Sequence, residues 1–530
     1  MSNLNGGSNP IGTLDFETDP FKVGRVPFPF ACCIYFSKED HVILWNSDSK
    51  TDFISRVVRA IKRLPACTLY AHNGGRFDFH YLLEYAEQQQ IEIHNGRVMR
   101  MQIGAVTLKD SFPLMPFALE EFQKTKINYE IFEATKRNLP RNRTRIESYL
   151  LDDCSNLFSL VCGFRDVVGT KDTIGSAAFE QMRRLGIKIQ SLNESHDSMF
   201  RPYFFGGRVE AFEKGIFKGP FQYLDINSAY PFAMMNNHAH GAEYAHSKKL
   251  PPIDKLGNCF LHIIATSKGA LPLRDGLSLS FPHGESEFFC TGWEIAAGLK
   301  TRTLQIHKIL DCWFPLGFLN FHDYVKTFFA LRQQAKKSGD AIKRLAYKYL
   351  LNAGYGKFAQ NPRDFREYCI APLGKCIYGF DWESDFGEIS IWSKPSFQGF
   401  GFFDVATSAS ITGFVRAMLW KAICASSRVL YADTDSLLCS HSSVPMGNAL
   451  GQWKLEGVVK RAAIAGKKLY GVEWQKPQDS HNYKIASKGA RLSWSEILQL
   501  CAGNEIIWTN EAPTFSITGA HFVTRRINAT

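Results

Sequence analysis

Tyr431-Ala432-Asp433-Thr434-Asp435-Ser436 lies between an apolar run at Val429 and Leu430 and another at Leu437, Leu438 and Cys439. Two apolar runs around a short polar tip predict a β-hairpin with both carboxylates where the strands meet. On a strand Asp433 and Asp435 would share a face; around a tight turn they would splay about one ion. Close carboxylates repel and raise each other's pKa unless a cation neutralises them. Hard oxygen ligands that leave room for substrate phosphates suit magnesium. Such pairs also occur in solvated turns, so the rest of the chain decides what this one does.

At 530 residues the chain is long enough for two or more domains. A hydrophobic content of 45% and an aromatic content of 13% supply packed cores, which excludes general disorder. The net charge is +11 and the pI about 8.9, which favours a polyanionic partner, nucleic acid before membrane. The 13 cysteines include no CxxC pair and read as reduced core residues rather than a zinc or disulfide framework. No apolar run reaches membrane-span length, and Met1–Pro10 is polar, unlike a signal peptide. A cytoplasmic protein with no membrane partner is expected, and a monomer.

In the first 165 residues, Ile11-Gly-Thr-Leu-Asp15-Phe-Glu17-Thr18 alternates as a strand and places Asp15 and Glu17 on one face. A second apolar strand over 67–73 runs into Gly74-Gly75-Arg76-Phe77-Asp78, and Phe77–Ala86 has helical spacing. Tyr149 and Asp153, four apart in a later helix, are neighbours on one face. Asp15, Glu17, Asp78 and Asp153 then stand at the ends of core elements. Two magnesium ions about 4 Å apart need such a set to align a water with a leaving oxygen, and Tyr149 would orient that water.

These residues resemble the three motifs (Asp-x-Glu, Asn-x-x-x-Phe-Asp, Tyr-x-x-x-Asp) of the proofreading 3′–5′ exonucleases of family B DNA polymerases. The resemblance implies that Thr18, Asn73 and Phe77 hold a single-stranded primer end. It implies a catalytic lysine at Lys126, with Lys124 as the alternative. Asp110-Ser111-Phe112 matches the family's Ser/Thr-Leu only in part.

The polymerase motifs follow in order. Phe221-Gln-Tyr-Leu-Asp225-Ile-Asn-Ser228-Ala-Tyr230-Pro231 reads as an apolar strand ending at Asp225, with Pro231 preventing its continuation. It resembles motif A, with Ala229 where Leu is usual. The resemblance implies that Asp225 joins Asp433 and Asp435 about two metals, that Ser228 faces the triphosphate, and that Tyr230 would clash with a 2′-OH. Asp340 caps a predicted helix that carries Lys348, Asn352 and Tyr355 at i, i+4 and i+7, one face. Gly354 and Gly356 weaken that helix by about 1 kcal/mol each, which suits a close approach to its backbone. This stretch resembles motif B, Lys-x-x-x-Asn-x-x-Tyr-Gly, and with Arg344 it implies a nucleotide-binding face. Thr412-Gly-Phe-Val-Arg416 resembles Thr-x-x-Gly/Ala-Arg, with Val415 at the small-residue position; the 431–436 stretch resembles motif C; and Lys468-Leu-Tyr470 supplies a Lys-x-Tyr. DNA contacts are implied for Gly206, Gly207, Gly356, Thr412, Arg416, Tyr431, Thr434, Lys468 and Tyr470.

The fold class expected is α/β (α+β, multidomain): an RNase H-like exonuclease domain followed by a right-hand polymerase with two inserted subdomains. The expected limits are 1–165 exonuclease, 166–239 palm, 240–325 first insertion, 326–360 fingers, 361–402 second insertion, 403–458 palm and 459–530 thumb. Two insertions at these points resemble the protein-primed subgroup, in which a terminal protein donates the priming hydroxyl and the second insertion encloses template and product. One departure is Phe204 where the subgroup has the Tyr of Tyr-x-Gly-Gly, and Tyr203 is the nearest hydroxyl. The function implied is DNA-directed DNA polymerisation on a linear viral or plasmid genome, with proofreading, two Mg2+ (or Mn2+) per active site, and template, primer, dNTPs and a terminal protein as partners. The alternatives are a primer-independent or nucleic-acid-primed family B polymerase, or an idle DNA-binding scaffold, which intact carboxylates at both sites disfavour.

Overall fold

The computed structural model describes residues 9–529 apart from 47–49, 123–124, 191, 277, 397–402 and 479–480. Lys124 therefore lies outside the described residues, as do the last residues of the second insertion.

The N-terminal part is built on a seven-stranded sheet. In spatial order its strands are His41–Trp45, Pro29–Tyr35, Ile11–Thr18, Cys67–Ala71, Val106–Asp110, Arg97–Ile103 and Ile91–His94. Ile11–Thr18 runs parallel to Cys67–Ala71, which runs parallel to Val106–Asp110; the outer pairs are antiparallel. The helix Pro140–Val168 crosses this sheet and buries Ile146, Tyr149, Leu150, Asp153, Cys154 and Leu157. Proline at its first position leaves no donor unsatisfied there.

The segment 77–86 differs from the helix expected. It forms two short 3-10 turns, Asp78–Tyr81 and Leu83–Tyr85. Asp78 to Leu83 are all buried, polar residues included, so the segment is wrapped by core rather than laid on it by one apolar stripe. Apolar spacing suggested a stripe where the chain buries itself on several sides.

A second seven-stranded sheet, wholly antiparallel, carries the rest. Its order is His481–Ser487, Leu469–Gln478, Trp453–Gly466, Gly215–Ile226, Ser436–Ser442, Ser426–Asp433 and Val209–Ala211. Against its Ser426–Asp433 and Ser436–Ser442 strands packs Val405–Cys424, a helix apolar around most of its circumference and hence central to the core. The paired helices His322–Ser338 and Ala341–Phe358 join it there, the second packing directly on Val405–Cys424. Their two-residue corner is chemically complete: Gly339 ends the first helix with φ 75°, and Asp340 caps the second by accepting the Lys343 N–H at 3.0 Å.

The stretches 240–325 and 361–402, expected to be insertions, each carry a sheet of their own. The first consists of Tyr244–Ser247, Leu304–Pro315, Phe260–Lys268 and His283–Thr291, with the helix Gly292–Lys300 packed on Val405–Cys424. The second is Arg366–Pro372, Ile389–Pro395 and Asp381–Phe386. Its Ile370, Ile389 and Ile391 share one core with the N-terminal sheet and with Phe515 and Ile517 near the C-terminus. Ser384 Oγ donates to the Ile517 carbonyl at 2.7 Å, and the Ile370 N–H to the Gln88 carbonyl at 2.8 Å. N-terminal sheet, second insertion and C-terminal hairpin thus close on one another.

Three expected boundaries fall inside elements: 165/166 in Pro140–Val168, 325/326 in His322–Ser338, and 458/459 in Trp453–Gly466. Each element serves two regions, so no linker marks the change. Pro231 does not end its strand either. The strand stops at Ile226, Ser228 takes φ 55°, and Pro231 sits in the first turn of the helix Ala229–Met234, where its ring is tolerated. Among the described residues, no helix is long and apolar enough to cross a membrane. All 13 cysteines are free.

Candidate active sites

The Ser426–Asp433 and Ser436–Ser442 hairpin forms as expected, with Asp433 opposite Ser436. Its tip is a tight turn: the Asp435 N–H donates to the Asp433 carbonyl at 2.6 Å, and Thr434 is held at φ 60°. A β-branched residue in the left-handed region is strained, and such strain is kept where a site requires it. Asp225, at the end of Gly215–Ile226, lies opposite Ser436. Residues far apart in sequence thereby meet across two neighbouring strands.

A cavity of about 260 Å3 lies there, walled by Asp225, Ser228, Tyr230, Lys348, Asn352 and Asp435, together with Arg332, Lys454 and Glu456. Burial, then Asp435 and Glu456, push the Asp225 carboxyl up to about 7. Burial and Asp433 push Asp435 up to about 6. Burial is the larger cause at both groups and repulsion between neighbouring carboxylates the next, and Lys484, with Lys454 near Asp225 and Lys468 near Asp435, offsets only part of it. Asp433 is at the same tip but does not wall the cavity; its Oδ1 takes the Lys468 ammonium at 2.5 Å. An all-oxygen donor set that is destabilised by its own negative charge fits a hard divalent cation.

Tyr230 stacks flat on Tyr355, ring centroids 4.0 Å apart, and so joins the strand end to the motif B helix. Next to this cavity a second space of about 550 Å3 is lined by Arg332, Lys336, Arg344, Lys348 and Lys454. Its basic walls suit a polyphosphate. Arg332, Lys336 and Lys454 belong to no motif; the pairing of the two helices brings in the first two, and the strand Trp453–Gly466 brings in the third. Of the two helix glycines, Gly356 is open, whereas Gly354 is buried against Met182 and Met234. Close packing, not approach of a ligand, therefore requires Gly354.

Four expected DNA contacts are corrected by burial. Thr412 and Arg416 are 1% and 2% exposed. Arg416 binds Glu294 at 2.7 Å and donates to the Phe205 and Gly206 carbonyls. Tyr431 and Tyr470 are each 1% exposed; the Tyr431 hydroxyl accepts the Lys468 N–H at 2.7 Å, and Tyr470 meets the Tyr223 hydroxyl at 3.0 Å. None of these four side chains faces solvent; Arg416 holds the Gly206 backbone and Tyr431 that of Lys468. Tyr203 is likewise buried, against Phe260 and Phe289, so its hydroxyl does not replace the one missing at Phe204.

The second site is a cleft of about 850 Å3 on the N-terminal sheet. Asp15, Glu17 and Asp153 each bring one oxygen within 4.8 Å of the others, a spacing that fits a cation. Asp78 lines the same cleft but is buried, accepts the Phe16 N–H at 3.2 Å, and is pushed up to about 7 chiefly by burial. Tyr149 lines it too, its hydroxyl 3.1 Å from that of Tyr129 and its pKa raised by burial and by Asp153. Thr18, Asn73 (φ 59°) and Phe77 also line it. Lys126 is exposed and is not among its walls. Sequence reading missed Tyr129 and also Arg491 and Glu511, which enter from the C-terminal region.

The family described as DNA polymerase type B, organellar and viral, matches residues 118–380. The DNA-directed DNA polymerase of Enterobacteria phage PRD1 is 32% identical, over 98% of both chains. A DNA polymerase of Kluyveromyces lactis is 22% identical over 89% of this chain and 58% of its own length. Phi29 DNA polymerase, in an orthorhombic crystal form, has the same fold with a TM-score of 0.73 at 15% identity, covering 99% of this chain and 100% of its own. The same polymerase complexed with primer-template DNA and incoming nucleotides gives a TM-score of 0.70 at 16% identity, over 99% and 100%. With its motif order intact and its whole length aligned, the chain belongs to the type B DNA polymerases and is a DNA-directed DNA polymerase.

Proposed function

We propose that this polymerase starts synthesis on a protein hydroxyl, extends processively with strand displacement, and proofreads in a separate 3′–5′ exonuclease cleft. The observation that carries the two-reaction reading is the presence of two distinct acidic clefts, one on each large sheet. Protein priming is supported by two insertions that each fold as a sheet at the points where the protein-primed subgroup has them.

In this reading the sheet bearing Asp225 and the 433–435 tip is the palm, the two paired helices are the fingers, and the region after Gly466 is the thumb. Asp225, Asp433 and Asp435 hold two Mg2+ or Mn2+; Asp15, Glu17, Asp78 and Asp153 hold a second pair. Bound there, the ions lower the charge on the attacking and leaving oxygens. Lys348, Arg344 and Arg332 bind the dNTP triphosphate, Asn352 lies beside the new base, and Tyr230 stands under the sugar, propped by Tyr355. The primer hydroxyl attacks the α-phosphate, pyrophosphate leaves, and Lys348 offsets the charge that develops on it. Lys468, whose ammonium lies on Asp433 Oδ1, would be free to meet the primer phosphates where a cation takes its place at that carboxylate. In the other cleft Tyr149 orients the water, and Phe77 and Asn73 hold the frayed primer end, largely by stacking.

The test is a pair of substitutions. Asp433→Ala should abolish nucleotide addition and leave single-strand degradation; Asp15→Ala should do the reverse. Loss of both activities from either change in a folded chain would defeat the two-site reading.

A further inference from the structure

Arg208 is 1% exposed, and its guanidinium is fixed on every side. It donates to the Gly269 carbonyl at 2.7 Å in the first insertion and binds Glu210 Oε2 through Nε at 2.9 Å and Nη2 at 2.5 Å. The rings of Phe281 and Trp420 lie 4.1 and 4.5 Å from it, one from the first insertion and one from the Val405–Cys424 helix. Its backbone reaches the other way. The Arg208 carbonyl accepts the Thr434 N–H at 2.6 Å, the residue held at φ 60° between Asp433 and Asp435. The preceding residue, Gly207, is so close to the tip that a Cβ there would lie 2.8 Å from Thr434 Cγ2 and 3.1 Å from the Tyr230 hydroxyl.

A buried ion pair is a poor stabiliser, because desolvation offsets its attraction and apolar residues of similar volume often serve as well. What a buried guanidinium does supply is direction: several donors in a rigid fork that fix the backbone carrying it. The backbone fixed here is the one that bonds to a strained turn. We propose that Arg208 is a positioning residue for nucleotide addition. Locked into the first insertion and the central helix, it holds Thr434 in the left-handed region and so sets the separation of the Asp433 and Asp435 carboxylates. Release of Arg208 frees Thr434 from this hydrogen bond and lets the turn shift, which changes how the two carboxylates are spaced. This inference rests on the assignment of Asp433 and Asp435 to polymerisation, which Asp433→Ala tests independently.

The experiment compares Arg208→Met with Arg208→Lys in single-nucleotide addition to a primed template. A displacement of about 1 Å at a reacting centre costs on the order of 100-fold in rate, so Arg208→Met should lower kcat by about that factor. The dNTP KM should stay within about 3-fold, because the basic walls are untouched. The Mg2+ concentration for half-maximal rate should rise, and Arg208→Lys should recover part of the loss. A readout free of activity accompanies these: the rise in unfolding temperature when Mg2+ is added to DNA-free protein should shrink in Arg208→Met. An unchanged kcat, or a lowered kcat with an unaltered Mg2+ response in both measurements, overturns the proposal. Should Arg208→Met fail to fold, Glu210→Gln, which leaves the guanidinium between its two rings but removes the ion pair, decides the matter. A raised Mg2+ requirement supports the proposal, and an unchanged one overturns it.

Discussion

Replacing Asp225 by Asn should make the cation-free protein more stable, although Asp225 belongs to the catalytic set. Asp225 is raised from its ordinary 3.8 to about 7 by burial, Asp435 and Glu456. At about 1.4 kcal/mol per unit, a rise of that size corresponds to about 4 kcal/mol of destabilisation once the group is ionised. Partial exposure and the sharing of one repulsion between Asp225 and Asp435 reduce this to about 1–2 kcal/mol. The sign follows from proton counting. Between about pH 4 and 7 the folded chain holds a proton at Asp225 that the unfolded chain has lost, so stability falls as pH rises through that window and the full cost is present above pH 7. The assay is thermal unfolding in EDTA at pH 5 and pH 8, with and without excess Mg2+. Wild type should lose stability between pH 5 and pH 8 and regain it with Mg2+. Asp225→Asn should melt higher than wild type at pH 8 in EDTA, with a shallower pH slope and a smaller gain from Mg2+. A variant that melts lower at pH 8, or keeps the wild-type slope, refutes the idea that the carboxylate is held against its own charge.

Three further outcomes are expected. Asp340→Ala removes the cap of the motif B helix and should cost about 1 kcal/mol, read as a lower denaturant midpoint with an unchanged m-value. Phe515→Ala empties a site packed on Phe77 and His80, at a cost of about 3–5 kcal/mol to the docking of the C-terminal hairpin; product length on a primed single-stranded circle should shorten while single-nucleotide addition is unaffected. Incubation with labelled dNTP and the partner terminal protein should leave label covalently bound to that partner, and label found only in nucleic acid would remove the protein-priming proposal.

The parts of the sites legible in the sequence are those whose geometry is local. The 431–436 hairpin, the Ile11–Thr18 strand with Asp15 and Glu17 on one face, and the capped helix carrying Lys348 and Asn352 need only neighbouring residues to be read, and all form. A motif letter does not say which way its side chain turns. Arg416 and Tyr470 stand in motif positions yet point into cores, because Glu294 and Tyr223, more than a hundred residues away, complete their hydrogen bonds. Arg332, Tyr129 and Arg491 were invisible for the opposite reason: they carry no motif and reach their clefts only when separate elements pack together. Domain limits were blurred where one long strand, Trp453–Gly466, runs straight across an expected limit.

The most direct test of the two acidic clefts is anomalous diffraction from a crystal soaked in Mn2+. Manganese peaks between Asp225 and Asp435 and among Asp15, Glu17 and Asp153 are expected, with Lys468 withdrawn from Asp433. Manganese elsewhere on the protein, with none between Asp225 and Asp435, would contradict the assignment of that cavity to nucleotide addition.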